Sequence, residues 1–113
     1  MELALEVREE GGRTVVSAAG ELDVYTAPDL EERLAALVAE DKVSLVVDLT
    51  DVAFMDSTGL GLLIKTLKWT REKDGRLDVV VGNDKVMKVF RITKLDGAIP
   101  LHEDLAAAIA AGD

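Results

Sequence analysis

Ser57 is the residue of this 113-residue chain whose type and surroundings point most directly to chemistry. It lies in the segment Met55-Asp56-Ser57-Thr58-Gly59, between an apolar run typical of a strand and an apolar repeat at helical spacing. In an open α/β sheet, functional groups collect at such a strand-to-helix junction. A serine there can act as a nucleophile, as a helix cap or as an acceptor of phosphate.

Catalysis by Ser57 would need a base, and His102 is the one conventional candidate in the sequence. His102 follows the last predicted strand, so we interpret it as a neighbour of a helix N-cap or as a surface residue. A nucleophile elbow has glycine on both sides of the serine, and Met55 occupies one of those positions. The string also resembles the Asp-Thr/Ser-Gly loop of aspartic proteases, but it has one residue more and those folds are almost all β. We therefore do not predict an enzyme.

No cofactor or metal site is predicted either. The segment Gly59-Leu60-Gly61 lacks the third glycine of a dinucleotide fingerprint, and the sequence has no P-loop. The acidic pairs Glu9-Glu10 and Glu31-Glu32 fall on turn or helix positions typical of a solvated face. The chain contains no cysteine, which excludes thiol catalysis, disulfides and thiolate ligands.

Helix capping competes with phosphorylation as the interpretation of Ser57. Asp56, Ser57 and Thr58 are all good N-cap residues, and a cap contributes ~1 kcal/mol. Spacing alone favours capping. A phosphate on an exposed hydroxyl here would lie against free amides at the positive end of the helix. The fold could therefore accept a phosphate while its surface charge changed.

The charge of the chain excludes two classes of partner. With 22 acidic and 13 basic residues, its formal net charge is −9, which repels nucleic-acid phosphates and anionic lipid head groups. Acids occupy the first positions, where a secretion signal has Lys or Arg, and no apolar run approaches the ~20 residues of a membrane span. We predict a cytoplasmic protein that binds neither nucleic acid nor membrane.

The elements that must position Ser57 begin with a predicted antiparallel hairpin. Alternating polarity gives one strand at Leu3–Val7 and another at Thr14–Ala19, joined across Gly11-Gly12 and ended by Gly20. Next come a helix that starts at Thr26-Ala27-Pro28-Asp29 and ends at Asp41-Lys42, and a buried strand at Val43–Leu49. A helix after Ser57, which Gly75 ends, is followed by a strand at Leu77–Val81.

The last predicted elements are a short helix, an edge strand and a terminal helix. Asp84 caps the short helix, which carries Val86, Val89, Phe90 and Ile92. The edge strand is at Ile99–Leu101 and the terminal helix at Glu103–Ala111.

This order predicts one α/β domain that spans residues 1–113. Its sheet would be mixed and mostly parallel, with four to five strands that begin with the antiparallel hairpin. Because parallel crossovers are right-handed, strands laid side by side in chain order collect their helices on one face. We therefore expect about four helices packed mainly on one face of the sheet.

The helix after Ser57 suggests an interaction patch. At 100° per residue, Leu60, Leu63, Ile64 and Leu67 share one face. Leu62 and Trp69 fall nearly opposite, so we expect Leu62 to be exposed and to bind a partner, whereas neighbouring helices could cover Trp69.

Three ordered segments resemble the signatures of one family, the STAS-domain anti-sigma-factor antagonists. They are Gly20–Pro28, Phe54–Gly61 and Val89–Leu95. The resemblance extends over essentially the whole chain and is strongest to the general-stress and sporulation antagonists. It implies a bacterial regulator of transcription in which the serine after the motif's Asp, here Ser57, is phosphorylated.

The resemblance also implies partner switching. The unphosphorylated protein binds an anti-sigma factor, which is itself a serine kinase, and frees the sigma factor. The phosphorylated form cannot bind, and a PP2C-type phosphatase resets it. By the same resemblance, Asp23, Asp56, Ser57, Thr58 and Gly59 contact the partner, with Thr58 as the alternative phosphate acceptor.

Several alternatives stay open at this stage. Asp23 could instead cap the turn before Thr26, and the chain could be a monomer or a weak dimer. The runner-up function is a STAS scaffold or sensor module of a larger signalling assembly. The chain lacks the extra sensory sequence and hydrophobic anchors that such a module usually carries, so we favour the antagonist.

Overall fold

The computed structural model describes residues 2–112 and contains a five-stranded sheet with four α-helices. The strands are β1 (Leu3–Glu10), β2 (Arg13–Leu22), β3 (Ser44–Met55), β4 (Arg76–Val80) and β5 (Leu101–His102). The helices are α1 (Ala27–Ala39), α2 (Ser57–Glu72), α3 (Asp84–Ile92) and α4 (Leu105–Ala110), with a short 3₁₀ turn at Leu95–Gly97. None of the helices in this part of the chain is long and apolar enough to cross a membrane.

The strands lie in the sheet in chain order, β1-β2-β3-β4-β5. β1 and β2 form the predicted antiparallel hairpin, and every later pair is parallel. Because each crossover has the same hand, α1, α2 and α3 pack on one face and bury the main core there. The short α4 packs on the opposite face over Val15, Val46 and Val80. The predicted fold class is confirmed.

Several predicted boundaries differ from the observed ones. β2 continues through Gly20 to Leu22, because Gly20 adopts a φ of 124° that a glycine tolerates inside a strand. β3 continues to Met55, well beyond Leu49, since polar Asp48 and Thr50 lie on its partly solvated face. α3 is capped by Asn83, whose side chain accepts a hydrogen bond from the Val86 amide, so the prediction of Asp84 as the cap was wrong.

The predicted core face of α2 is confirmed, since Leu60, Leu63 and Leu67 are buried and Ile64 is half-buried, but the predicted exposure of Leu62 was wrong. Leu62 is only 4% exposed and belongs to the main core together with Leu63. The buried arc is shifted because Thr66 and Thr70 lie within it, where a polar residue was taken to mark solvent. Their hydroxyls donate to the carbonyl oxygens of Leu62 and Leu67, at 2.9 Å each, and so satisfy their polar groups without water.

The exposure of Trp69 is intermediate between that of the buried Leu62 and that of the exposed residues of α2. It is half-buried beside Ala35 and Val38 of α1, with the Lys65 ammonium 5.9 Å from its ring centroid. The helices α1 and α2 therefore cover part of Trp69, as the sequence allowed. No exposed patch forms between Leu62 and Trp69, and we do not carry the Leu62 patch further.

This packing predicts that Leu62→Ala and Leu63→Ala destabilise the protein alike, by about 2–5 kcal/mol each. Each substitution leaves a cavity in the same core, and urea unfolding followed by circular dichroism measures the loss. Lys68→Ala, on the exposed face of α2, is the control and should change stability little. A Leu62→Ala variant as stable as the wild type would contradict the observed helix orientation.

Candidate functional site

Ser57 is the first residue of α2 and its side chain is exposed at the carboxyl end of β3. The residue before it, Asp56, is the N-cap, and its carboxylate accepts a hydrogen bond from the Thr58 amide at 2.9 Å. Capping by Asp56 leaves the Ser57 hydroxyl free of that task. The first amides of a helix have no partner inside it, and they carry the positive end of the helix dipole. Ser57 is thus a hydroxyl held at a site that favours an anion.

The start of α2 is fixed against the end of β2. The Asp56 amide donates to the Leu22 carbonyl oxygen at 3.2 Å, and Leu22 is the strand partner of Met55. Gly59 lies so close that a β-carbon there would be 2.7 Å from the Leu22 side chain. A residue larger than glycine would push α2 away from β2, so Gly59 holds the site together rather than facing a partner.

Asp23 follows Leu22, and its side chain shapes the loop between β2 and α1. Asp23 is buried, and its carboxylate accepts hydrogen bonds from the amides of Tyr25 and Thr26 at 2.9 and 3.1 Å. The Thr26 hydroxyl accepts a hydrogen bond from the Asp23 amide and donates one to the Glu21 carbonyl oxygen at 2.7 Å, so it does not cap α1. Of the two interpretations of Asp23, the geometry supports turn capping.

This loop displays apolar side chains that the sequence analysis did not assign to the site. Tyr25 is 83% exposed, and Val24 beside it is also exposed. Phe54 is exposed near the end of β3, three residues before Ser57, and pairs with Glu21 of β2. We call Val24, Tyr25 and Phe54 the apolar rim. Val24 and Tyr25 follow the end of β2 and Phe54 lies near the end of β3, so all three are at the carboxyl edge of the sheet where α2 begins. Exposed apolar groups of this kind mark interaction surfaces.

A strand irregularity explains why Phe54 faces outward. Gly20 pairs with Val52 and Glu21 with Phe54, so Ala53 is an extra residue on β3. Such a bulge interrupts the alternation of inward and outward side chains, and here Ala53 and Phe54 are both exposed while Val52 and Met55 are buried. In the sequence, the available signal for the apolar rim was Val24 and Tyr25 directly after the Gly-Glu-Leu-Asp segment, together with Phe54 near the end of a strand.

His102 does not join Ser57. It lies on β5, where its Nε2 is 2.8 Å from an Asp78 carboxylate oxygen. Asp78 is fully buried on β4 and also binds Arg13, at 2.8 Å, and Arg76, at 2.7 and 2.8 Å. Arg13 extends under α4 and donates to the Ala108 carbonyl oxygen. This ionic cluster therefore ties α4 to the sheet on the face opposite α2.

The charges of the cluster set the pKa of Asp78. Burial alone raises the pKa of Asp78, because it penalises the charged carboxylate. Hydrogen bonds from Arg76, His102 and Arg13 outweigh burial, so the pKa lies below its ordinary value. The pKa of Arg76 is raised by the same hydrogen bond. Within residues 2–112, no group of three or more acidic or histidine side chains is arranged to hold a metal ion.

Comparison with known proteins assigns this fold and site to a family. The STAS domain family matches residues 4–108, and the chain belongs to that family. An anti-sigma-B factor antagonist of Staphylococcus aureus is 37% identical over 103 residues, covering 91% of this chain and 95% of that protein. One from Listeria monocytogenes is 33% identical over 102 residues, covering 89% and 90%.

A solved structure gives the same result in three dimensions. The crystal structure of an anti-sigma factor antagonist from Mycobacterium paratuberculosis superposes with a TM-score of 0.91 at 34% sequence identity. The match covers 98% of this chain and 94% of that one. The resemblance inferred from the three sequence segments is therefore confirmed at the level of family and fold.

Proposed function

We propose that this protein is an anti-sigma-factor antagonist that binds its anti-sigma factor when Ser57 is unmodified and releases it when Ser57 is phosphorylated. The observation that carries the proposal is an exposed hydroxyl at the start of α2, beside the apolar rim. The names of the relatives support the antagonist role. The proposal makes Ser57 a regulatory residue of a binding protein and not a nucleophile.

Position in the helix favours Ser57 over Thr58 as the acceptor. Both side chains are exposed, but Ser57 is the first residue of α2 and Thr58 lies one step further into the helix. A phosphate at Ser57 would meet the positive end of α2, which stabilises negative charge, so α2 has no electrostatic reason to unfold. Its effect would fall on the partner surface.

The switch would act by charge at the rim of a contact. A phosphate carries about −1.5 to −2 charges at neutral pH and would add to the charge of Asp56. An anti-sigma factor that covers Val24, Tyr25 and Phe54 would have to desolvate this charge, which is costly without a cationic partner. Binding would therefore be lost although the fold is kept.

The remaining steps belong to other proteins in the cytoplasm. A serine kinase, which would be the anti-sigma factor itself, supplies ATP and the base, and a PP2C-type phosphatase removes the phosphate. The protein would act by binding rather than by catalysis, since the Nε2 of His102, the one histidine, is engaged by Asp78 on β4. Ser57 and the apolar rim would then supply all that the kinase needs to recognise.

The phosphorylation site can be tested directly. After incubation with the cognate anti-sigma kinase, ATP and magnesium, we expect one added phosphate, located on Ser57 by phosphopeptide mapping. Ser57→Ala should take up none, and Thr58→Ala should still be modified. Phosphate mainly on Thr58 or Ser17, or none on the wild type, would refute the assignment.

The apolar rim predicts a separable binding defect. Tyr25→Ala should weaken anti-sigma binding at least about tenfold, because an exposed tyrosine at an interface is a frequent hot spot. Its stability should change little, since the side chain is 83% exposed. Ile92→Ala, an exposed apolar residue on α3, is the matched control. Calorimetric titration of both variants decides, and equal binding by Tyr25→Ala and wild type would remove the rim from the interface.

A further inference from the structure

The sheet has an edge that the helical layer leaves open. α1, α2 and α3 connect β2 to β5, so β1 precedes the first crossover and only the flank of α1 lies beside it. Leu3, Leu5 and Val7 face the core side of β1 but are only half-buried. Between β1 and α1 runs a groove of about 410 Å³, lined by Leu3, Leu5, Asp29, Glu32, Arg33 and Ala36.

This groove has an apolar floor and a wall that carries two acidic residues and one basic residue, Arg33. Leu3, Leu5 and Ala36 form the floor. Asp29 and Glu32 are exposed on α1, and neither forms an ion pair with another residue among positions 2–112. A contiguous groove continues the same edge past Glu2 towards Tyr25. A segment that fills these grooves would need cationic side chains around an apolar one.

α3, at the other end of the helical layer, presents such a surface. Positions 85–94 contain four cationic residues and no acidic one, in a chain of net charge −9. Lys85, Lys88, Arg91 and Ile92 fall within an arc of about 120° of the helix. All four are exposed, Ile92 by 69%, and none of the cations forms an ion pair within the described part of the chain.

We propose that the basic face of α3 docks into the groove between β1 and α1 of a second copy of this chain. Ile92 would cover the half-buried leucines of the floor, while Lys88 and Arg91 would meet Asp29 and Glu32. The two surfaces belong to the first and the last helix of one helical layer. The basic arc lies on the side of α3 opposite the buried Val86 and Phe90, so the outer side of α3 in one copy would lie against the groove of the next. Ser57 takes no part in this contact, and Tyr25 does not line the groove between β1 and α1 that contains Asp29 and Glu32, so the proposal does not depend on the proposed function.

The occupant of each surface follows from local charge. The net charge of −9 repels a nucleic acid, an anionic bilayer and a second copy alike. A second copy is the one occupant that complements both surfaces, because it brings the acidic residues of the groove to the basic helix and the basic helix to the groove. Because the two halves of the contact differ, it is head-to-tail and does not close into a symmetric dimer. With few apolar groups at its centre, it should be weak and reversible.

Sedimentation equilibrium of the full chain at about 0.15 M salt tests the proposal, because this salt screens the long-range repulsion between two chains of net charge −9 more than it weakens close ion pairs. The weight-average mass of the wild type should rise above that of the monomer at several hundred micromolar. Lys88→Glu/Arg91→Glu should raise the dissociation constant at least about tenfold. Lys68→Glu/Arg71→Glu makes the same change of net charge on the exposed face of α2, and it should associate like the wild type.

A mixing experiment excludes a general charge effect. Glu32→Lys should also be monomeric, because it damages the groove half of the contact. Mixed with Lys88→Glu/Arg91→Glu, it should form a 1:1 complex, since one variant keeps a wild-type α3 and the other a wild-type groove. A wild type that stays monomeric, equal loss in the two charge-matched variants, or a mixture that stays monomeric would each overturn the proposal. Circular dichroism confirms folding, which these exposed substitutions should preserve.

Discussion

We expect the Asp78→Ala variant to lose about 3–5 kcal/mol of its free energy of unfolding, which is a large part of the stability of a typical domain. Among residues 2–112, Asp78 is the carboxylate that pairs with the buried guanidinium of Arg13, at 2.8 Å. Removing it leaves a guanidinium that is 2% exposed without its counter-ion. An unpaired buried charge is among the most destabilising defects known for a point mutation.

In the Asp78→Ala variant, the loss of stability should appear first at α4. Arg13 holds the carbonyl oxygens of Ala108 and Leu45 and the Ser44 hydroxyl, so it connects α4 to β3. Once Asp78 no longer orients the guanidinium, the hydrogen bonds from Arg13 to α4 and β3 should weaken. Hydrogen exchange should then show α4 opening before the β2–β3 centre of the sheet. Asp51→Ala removes an exposed aspartate of β3 and should change stability by no more than about 0.5 kcal/mol.

The same cluster gives the wild type a defined response to acid. The pKa of Asp78 is lower in the folded protein than in the unfolded chain, so the unfolded chain binds its proton more readily. The stabilisation is therefore complete above about pH 4, the ordinary range of an aspartate, and is lost as the pH falls through the folded-state pKa. Urea unfolding from pH 7 to 2 should show this loss in the wild type and a flatter curve for Asp78→Asn. Equal slopes for the two proteins would mean that Asp78 is not the group that titrates.

Asp78 also illustrates what the sequence could not predict. An aspartate between Leu77 and Val79 indicates a strand with one polar face, and Arg13 beside a glycine turn indicates solvent. Their burial results from α4, which crosses the opposite sheet face only because the chain returns there after β5. Pairing across such sequence distances leaves no local pattern. The hairpin, the chain-order sheet and the approximate positions of the helices were predictable because they depend on alternation, turn residues and handedness.

At the candidate site, too, the sequence predicted some features and not others. The placement of Ser57 at the end of a strand and the start of a helix followed from the local sequence. The orientation of Phe54 depends on the bulge at Ala53, and the burial of Leu62 depends on threonines that satisfy their own hydroxyls inside the core. Neither the bulge nor the hydrogen bonds of the threonines can be recognised from the average polarity of the segment. A helix phase assigned from apolar residues alone was therefore correct for α1, and for α2 it placed Leu60, Leu63 and Leu67 correctly but missed the burial of Leu62.

The second large effect is expected at Ser57. Ser57→Ala should fold and bind the anti-sigma factor persistently, because it removes the acceptor but adds no charge. Ser57→Asp should also fold, since an acid in the first turn of a helix contributes about 0.3–1 kcal/mol of stability. Its binding should be weaker by about 100-fold, which corresponds to ~3 kcal/mol. Calorimetric titration measures the binding, and thermal unfolding by circular dichroism measures the stability.

The reason lies in the difference between the free protein and the complex. In the free protein the new carboxylate is solvated and faces the positive end of α2, so it costs nothing. In the complex it must be desolvated beside Asp56, against a partner surface shaped for a neutral hydroxyl. Asp56→Asn combined with Ser57→Asp should therefore recover part of the binding, because one of the two adjacent charges is gone. Wild-type affinity of Ser57→Asp would exclude a charge switch, and unfolding of that variant would show instead that phosphorylation acts through the structure of α2.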